Sequence, residues 1–241
     1  GIGERSGYQG TPNSSVGFLI DDIDYSGQGG IATLFDVEQV EVFRGPQGSR
    51  TGANALAGLI YIKTKDPTNE FEGTSEITIG DYGTQNLGIA FGGPMKNEKI
   101  KYRFVIRTDY ADGFRKNIFL NKSDTSKKDE LTLRYKLNWD FNETTDINFV
   151  ISKIDMDDPA DIWTIDGSLN TLSDRPGMDS QETNSYGIKV TKNFNNFDLQ
   201  SFTSATKTDV IFSYDADWGN PESHFPYTYD YFSETLRKRD T

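Results

Sequence analysis

The chain has 241 residues, with 37 acidic against 25 basic side chains, a formal net charge of −12, no cysteine and a single histidine. A disulfide framework and a Cys-built metal or catalytic site are excluded; one His argues against a His-built zinc site or a Ser-His-Asp triad, and the acidic balance argues against a nucleic-acid binder. No run approaches the ~18 apolar residues of a transmembrane helix, no basic and apolar leader opens the chain, and aromatics at 13% with 23 glycines are too many for a disordered one.

The first 66 residues are Gly-rich with short strand-like runs. Ser15 to Ile20, Val37 to Phe43 and Gly58 to Lys63 are predicted strands. Gly and Pro loops separate them, at Ser26-Gly27-Gln28-Gly29-Gly30 and Gly45-Pro46-Gln47-Gly48. Ala53 to Ala57 is expected to form a brief helical turn closed by Gly58. The segment reads as a small α+β unit.

After Pro67 the pattern changes to alternation with period 2, which gives a strand two different faces. In Lys101 to Tyr110, Tyr102, Phe104, Ile106, Thr108 and Tyr110 share one face. Lys101, Arg103, Arg107 and Asp109 share the other, with Val105 as the exception. In Leu131 to Phe141 the apolar set is Leu131, Leu133, Tyr135, Leu137, Trp139 and Phe141. Weaker alternation marks 71–79, 87–93, 147–154, 186–194 and 197–212, and 229–241 resembles a strand cut short.

Short connections are predicted at 92–98, 142–145 and 193–196. The alternate connections are long and polar, at 111–129, 155–182 and 214–227, apart from a short first one at 81–84. Antiparallel strands with short turns at one end and long loops at the other describe an outer-membrane β-barrel. Tyr102 to Tyr110 spans roughly 25 Å at about 3.3 Å per residue, which suits a barrel wall better than the strands of about 5–6 residues common in soluble sheets. A soluble β-sandwich or secreted carbohydrate-binding module is the alternative that periodicity leaves open.

The run Val37-Glu38-Gln39-Val40-Glu41-Val42-Phe43-Arg44-Gly45-Pro46-Gln47-Gly48, followed by Gly58-Leu59-Ile60-Tyr61-Ile62-Lys63-Thr64-Lys65, resembles the plug domain of TonB-dependent outer-membrane receptors. Val16-Gly17-Phe18-Leu19-Ile20-Asp21-Asp22-Ile23 is similar to the family's V-x-V-x-I-D-G-V strand and turn, with Asp22 where the family has Gly. The resemblance implies a plug segment over residues 1–66 and the N-terminal portion of a transmembrane β-barrel over 67–241, from a family barrel of about 22 strands. It implies an internal piece of a longer protein, with the TonB-binding box upstream. It also implies import of a scarce ligand across the outer membrane of a Gram-negative bacterium, with TonB as partner and outer-membrane lipid as surroundings. An iron–siderophore complex is the first expectation; cobalamin, haem and oligosaccharide are alternatives. No nucleic-acid partner, cofactor or resident metal is expected, and no catalytic constellation emerges.

For the site, the resemblance implies that Arg44 pairs with glutamates of the barrel wall and locks plug to barrel, with Glu41 on the same strand as a second member. The outward plug apices are expected at 25–29 and 47–51. Their ligand contacts would be Tyr25, Ser26, Gln28, Gln47, Ser49 and Arg50, because hydroxyl, amide and guanidinium groups suit an oxygen-rich ligand. Asp155, Asp157, Asp158 and Asp161 are expected together in an outer loop, most simply as a solvated acidic stretch, with calcium binding as the alternative for such oxygen ligands.

Overall fold

The computed structural model describes residues 14–28, 33–48, 55–96 and 98–241. Fourteen strands lie among them: β1 (Val16–Ile20), β2 (Ile23–Asp24), β3 (Val37–Arg44), β4 (Gly58–Thr64), β5 (Glu72–Ile79), β6 (Gln85–Pro94), β7 (Ile100–Ala111), β8 (Lys116–Asn117), β9 (Lys128–Asn142), β10 (Thr145–Pro159), β11 (Asn170–Thr171), β12 (Met178–Asn193), β13 (Asp198–Asp215) and β14 (Phe232–Asp240).

β1 to β4 form a four-stranded sheet in the order β2-β1-β4-β3. β1 runs parallel to β4, and β3 runs antiparallel to it. The three strands expected from the first 66 residues are all present. β1 and β2 are joined by Asp21 and Asp22, at φ 50° and 69°. Two successive left-handed residues make the primed turn that matches strand twist, and Asp tolerates that conformation through its short polar side chain. In the expected helical turn, Ala55 to Ala57 are irregular, while Ala53 and Asn54 lie outside the described residues.

The remaining long strands form one open antiparallel sheet of eight strands, β5-β6-β7-β9-β10-β12-β13-β14. Every pairing is between sequence neighbours once β8 and β11 are set aside; those two pair with each other in the loops. The short connections fall between β6 and β7, β9 and β10, and β12 and β13. The strands extend further into the long loops than alternation indicates. β10 runs to Pro159 and β12 begins at Met178, where a loop over 155–182 is expected. The outward residues there are Lys153, Asp155 and Asp157 on β10 and Glu182 on β12. Charge ends the apolar pattern while the backbone pairing continues, with Lys153 bridging to Glu182 at 3.3 Å. Asp155, Asp157 and Asp158 therefore ride on a strand, and Asp161 turns inward to accept hydrogen bonds from Asn117 and Thr171.

The sheet is inside out relative to a soluble protein. Ile89, Phe91, Phe149, Ile151, Tyr186, Ile188 and Phe202 are exposed on the outer face. Arg103, Arg134, Lys136, Thr183, Ser185, Thr206 and Thr208 are buried on the inner face, which packs against the small sheet. An apolar outer face with a polar interior is the pattern of a membrane barrel wall. Val105, the exception in its strand, is inward and buried with Phe35 and Ala90. A second apolar cluster joins Phe18, Ile23, Tyr25 and Ile62 of the small sheet to Val150, Ile154 and Met156 of β10.

Candidate functional site: a charged seam between the two sheets

The two sheets meet through carboxylates on the small sheet and cations on the wall. Asp36, just before β3, is held at φ 60° with its side chain 1% exposed. Arg103 of β7 grips it with two hydrogen bonds, Nε to Oδ2 at 2.8 Å and Nη2 to Oδ1 at 2.5 Å. The third arm of that guanidinium reaches Glu72 of β5 at 2.8 Å. Arg134 of β9 approaches the same carboxylate at 3.4 Å and the Asp36 carbonyl at 3.3 Å. A planar fork of donors matches a carboxylate in this way, and a buried guanidinium needs such partners.

The β1–β2 turn supplies the next contacts. Asp21 accepts from the Thr64 backbone N–H at 2.9 Å and the Thr64 hydroxyl at 2.6 Å, which fixes the end of β4. Its Oδ1 also takes Lys136 Nζ at 3.0 Å. Lys136 donates further to the Thr64 carbonyl and to Asp66. Burial acts to raise the Asp66 carboxyl, but Lys136 and Lys63 outweigh it and hold the group below its usual range. Asp22 accepts from the Tyr61 hydroxyl at 3.1 Å and meets Lys189 of β12 at 3.4 Å. Asp22 thus combines a left-handed backbone with a contact to the wall. Asp24 receives Arg239 of β14 at 2.9 Å, and the same guanidinium donates to the Ser26 carbonyl.

The expected contact residues are placed as follows. Tyr25, Ser26 and Gln28 are turned into the seam, not outward: they are 2%, 6% and 6% exposed. Burial pushes the Tyr25 phenol above the usual tyrosine range. The Ser26 hydroxyl accepts from the Phe18 backbone N–H, and Gln28 accepts from Thr208 at 3.2 Å. The reason is the polar wall, whose hydroxyls need partners that only polar side chains supply. Gln47 is half-buried beside the Gln47 N–H to Ala55 carbonyl bond. Ser49 and Arg50 lie outside the described residues. Arg44 is exposed at the end of β3 and makes no ion pair among the described residues, while Glu41 accepts from Gln39. The ion pairs that do join the sheets run with the opposite sign, acid on the small sheet and base on the wall. The sequence signal for them was present: Arg103, Arg134 and Lys136 sit on the polar face of otherwise apolar strands.

A family model described as the TonB-dependent Receptor Plug Domain matches residues 2–59. The chain is 25% identical over 158 residues to the vitamin B12 transporter of Vibrio vulnificus, covering 60% of this chain and 26% of that protein. It is 29% identical over 159 residues to a probable TonB-dependent siderophore receptor of Acinetobacter baumannii, covering 60% and 20%. The solved structure of the ferric yersiniabactin uptake receptor from Yersinia pestis matches with a TM-score of 0.74 at 18% identity, over 84% of this chain and 33% of that one. The ferric-catecholate import receptor of E. coli K12, in its closed form, matches with a TM-score of 0.67 at 16% identity, over 94% and 34%. The match thus spans about a quarter or less of these curated relatives. Residues 2–59 thus match the TonB-dependent receptor plug domain, and the strands that follow have the fold of solved outer-membrane uptake receptors.

Proposed function

We propose that residues 1–66 are plug and residues 67–241 barrel wall of an outer-membrane receptor in a Gram-negative bacterium. The receptor imports a scarce ligand, foremost an iron–siderophore complex, when TonB draws on the plug. No bond of the ligand is made or broken, so the reading is transport and not catalysis. The observation that carries it is the charged seam. Hydrogen-bonded ion pairs exchange partners with water and with one another, so a plug held by them is movable under force, whereas a fully dry apolar contact resists. Relatives named as receptors for siderophores and for ferripyoverdine support iron as the cargo. A cobalamin cargo is the second reading, favoured by the vitamin B12 transporter among the relatives.

The test is fractionation of native cells grown with and without iron. Outer-membrane enrichment that rises on iron starvation is the expected result. Outer-membrane location without an iron response moves the cargo to cobalamin, and a soluble product overturns the reading.

A further inference from the structure

The wall carries its cations as a ladder. Strand register puts Arg134 of β9 in a row with Ser152 of β10 and Ser185 of β12. The next row toward the short turns is Lys136, Val150 and Gly187, and the row after that is Asn138, Asn148 and Lys189. Each row is two residues further along, about 7 Å of strand. Arg134, Lys136 and Lys189 therefore descend the inner wall from the loop side to the short-turn side. Arg134 is screened by Asp36, Lys136 by Asp21 and Asp66, and Lys189 by Asp22.

The same line is hollow. A cavity of about 200 Å³ lies between plug and wall, lined by Asp21, Asp22, Lys136 and Lys189 among others. At a water's share of about 30 Å³ this holds several waters. A smaller void of about 20 Å³ lies above it, lined by Arg134, Tyr25 and Ser152, and the two share Asp21 and Val150 in their linings. The Nε of Arg134 is buried without an acceptor among the described residues. A buried guanidinium N–H keeps the capacity to donate to an oxygen acceptor. The wall at β6 and β7 differs. There Phe35 packs on Ala90 and Val105, and Gly88 leaves no room for a side chain because a Cβ would stand 2.7 Å from the Phe35 ring.

Building on the import reading, we infer that Arg134, Lys136 and Lys189 form a relay for an anionic, oxygen-rich solute along the β9–β10–β12 wall. In the resting receptor the plug acids occupy the relay. When the plug shifts, the acids withdraw and the cations are left facing the widened cavity. A carboxylate- or phenolate-bearing chelate then replaces them rung by rung. At the β6–β7 flank Phe35, packed on Ala90 and Val105, leaves no such path.

The test uses the full-length receptor in cells with an intact energising system. The probes are a ferric chelate with free carboxylates and the same chelate with those carboxylates esterified. The readouts are the ratio of their initial uptake rates and their surface affinities. Lys189→Gln is expected to lower the anionic-to-neutral ratio at least fivefold with surface affinities unchanged. Asp22→Asn, which unscreens Lys189 and retains the turn, is expected to raise that ratio. A merely structural contact would lower uptake of both probes in both variants, and that result overturns the relay. An unchanged ratio in both variants overturns it as well, while leaving import intact. Failure of the wild type to take up either probe overturns the ferric-import reading and the relay with it.

Discussion

Asp36 and Arg103 lie 67 residues apart in sequence and share a two-bond contact in which both side chains are almost fully buried. One belongs to the small sheet and the other to the wall. The pair fixes the small sheet against β7, and Glu72 and Arg134 complete its surroundings. Removing one partner of such a pair leaves an uncompensated buried charge, at about 3–5 kcal/mol. Arg103→Ala and Asp36→Ala are each expected to loosen the plug by that order, and the double variant by less than the sum. A double-mutant cycle on protease susceptibility of the full-length receptor measures the coupling. Additive effects would mean that the contact is incidental.

Gly88 is the second anchor point. Any side chain there meets the Phe35 ring. Gly88→Val is expected to displace Phe35 and destabilise the docked plug by roughly 1–3 kcal/mol, the usual cost of overpacking. Phe35→Leu in the same chain is expected to recover part of the loss. Thermal unfolding of both variants checks this, and a Gly88→Val protein as stable as wild type refutes it.

Asp22 combines turn geometry with a half-exposed ion pair to Lys189. Asp22→Gly keeps the left-handed conformation, so the expected change is at most about 1 kcal/mol, the range of exposed ion pairs. Asp22→Val is expected to cost more, because a β-branched residue is strained at positive φ. Equal stabilities of the two variants would show that the conformation does not matter.

Acidity should weaken one part of the seam. Burial works against the Asp66 carboxylate, yet Lys136 and Lys63 hold the group below its usual range. A carboxyl lowered on folding adds stability above its unfolded value and loses it as pH falls through the folded one. The stability difference between wild type and Asp66→Asn should therefore be constant near neutrality and shrink below about pH 4. Denaturant midpoints of both proteins from pH 7 to pH 3 measure it. A difference that grows on acidification contradicts the assignment.

Much of this architecture was legible in the alternation of residues. Period 2 gives the eight strands, and the placement of short and long connections gives the barrel wall. The loop ends were not legible, because outward residues such as Lys153 and Asp155 become charged while β10 continues to pair. The seam was legible only in part. Arg103 and Lys136 stand out on polar strand faces, but alternation does not say which acids they meet. Those acids lie at turns, Asp21 and Asp22 at positive φ and Asp36 likewise, and long-range pairing is invisible to local pattern. Tyr25, Ser26 and Gln28 sit in a Gly-rich stretch that reads as an exposed apex; the polar wall that covers them comes from strands more than a hundred residues away.

Import, as proposed above, is read out by ligand uptake. Cells that produce the full-length receptor, with and without a functional TonB, are given radioactive ferric siderophores. Accumulation is expected to require both the receptor and TonB, with binding but no accumulation when TonB is absent. Accumulation that persists without TonB, or a receptor deletion that changes neither iron nor cobalamin uptake, would contradict it.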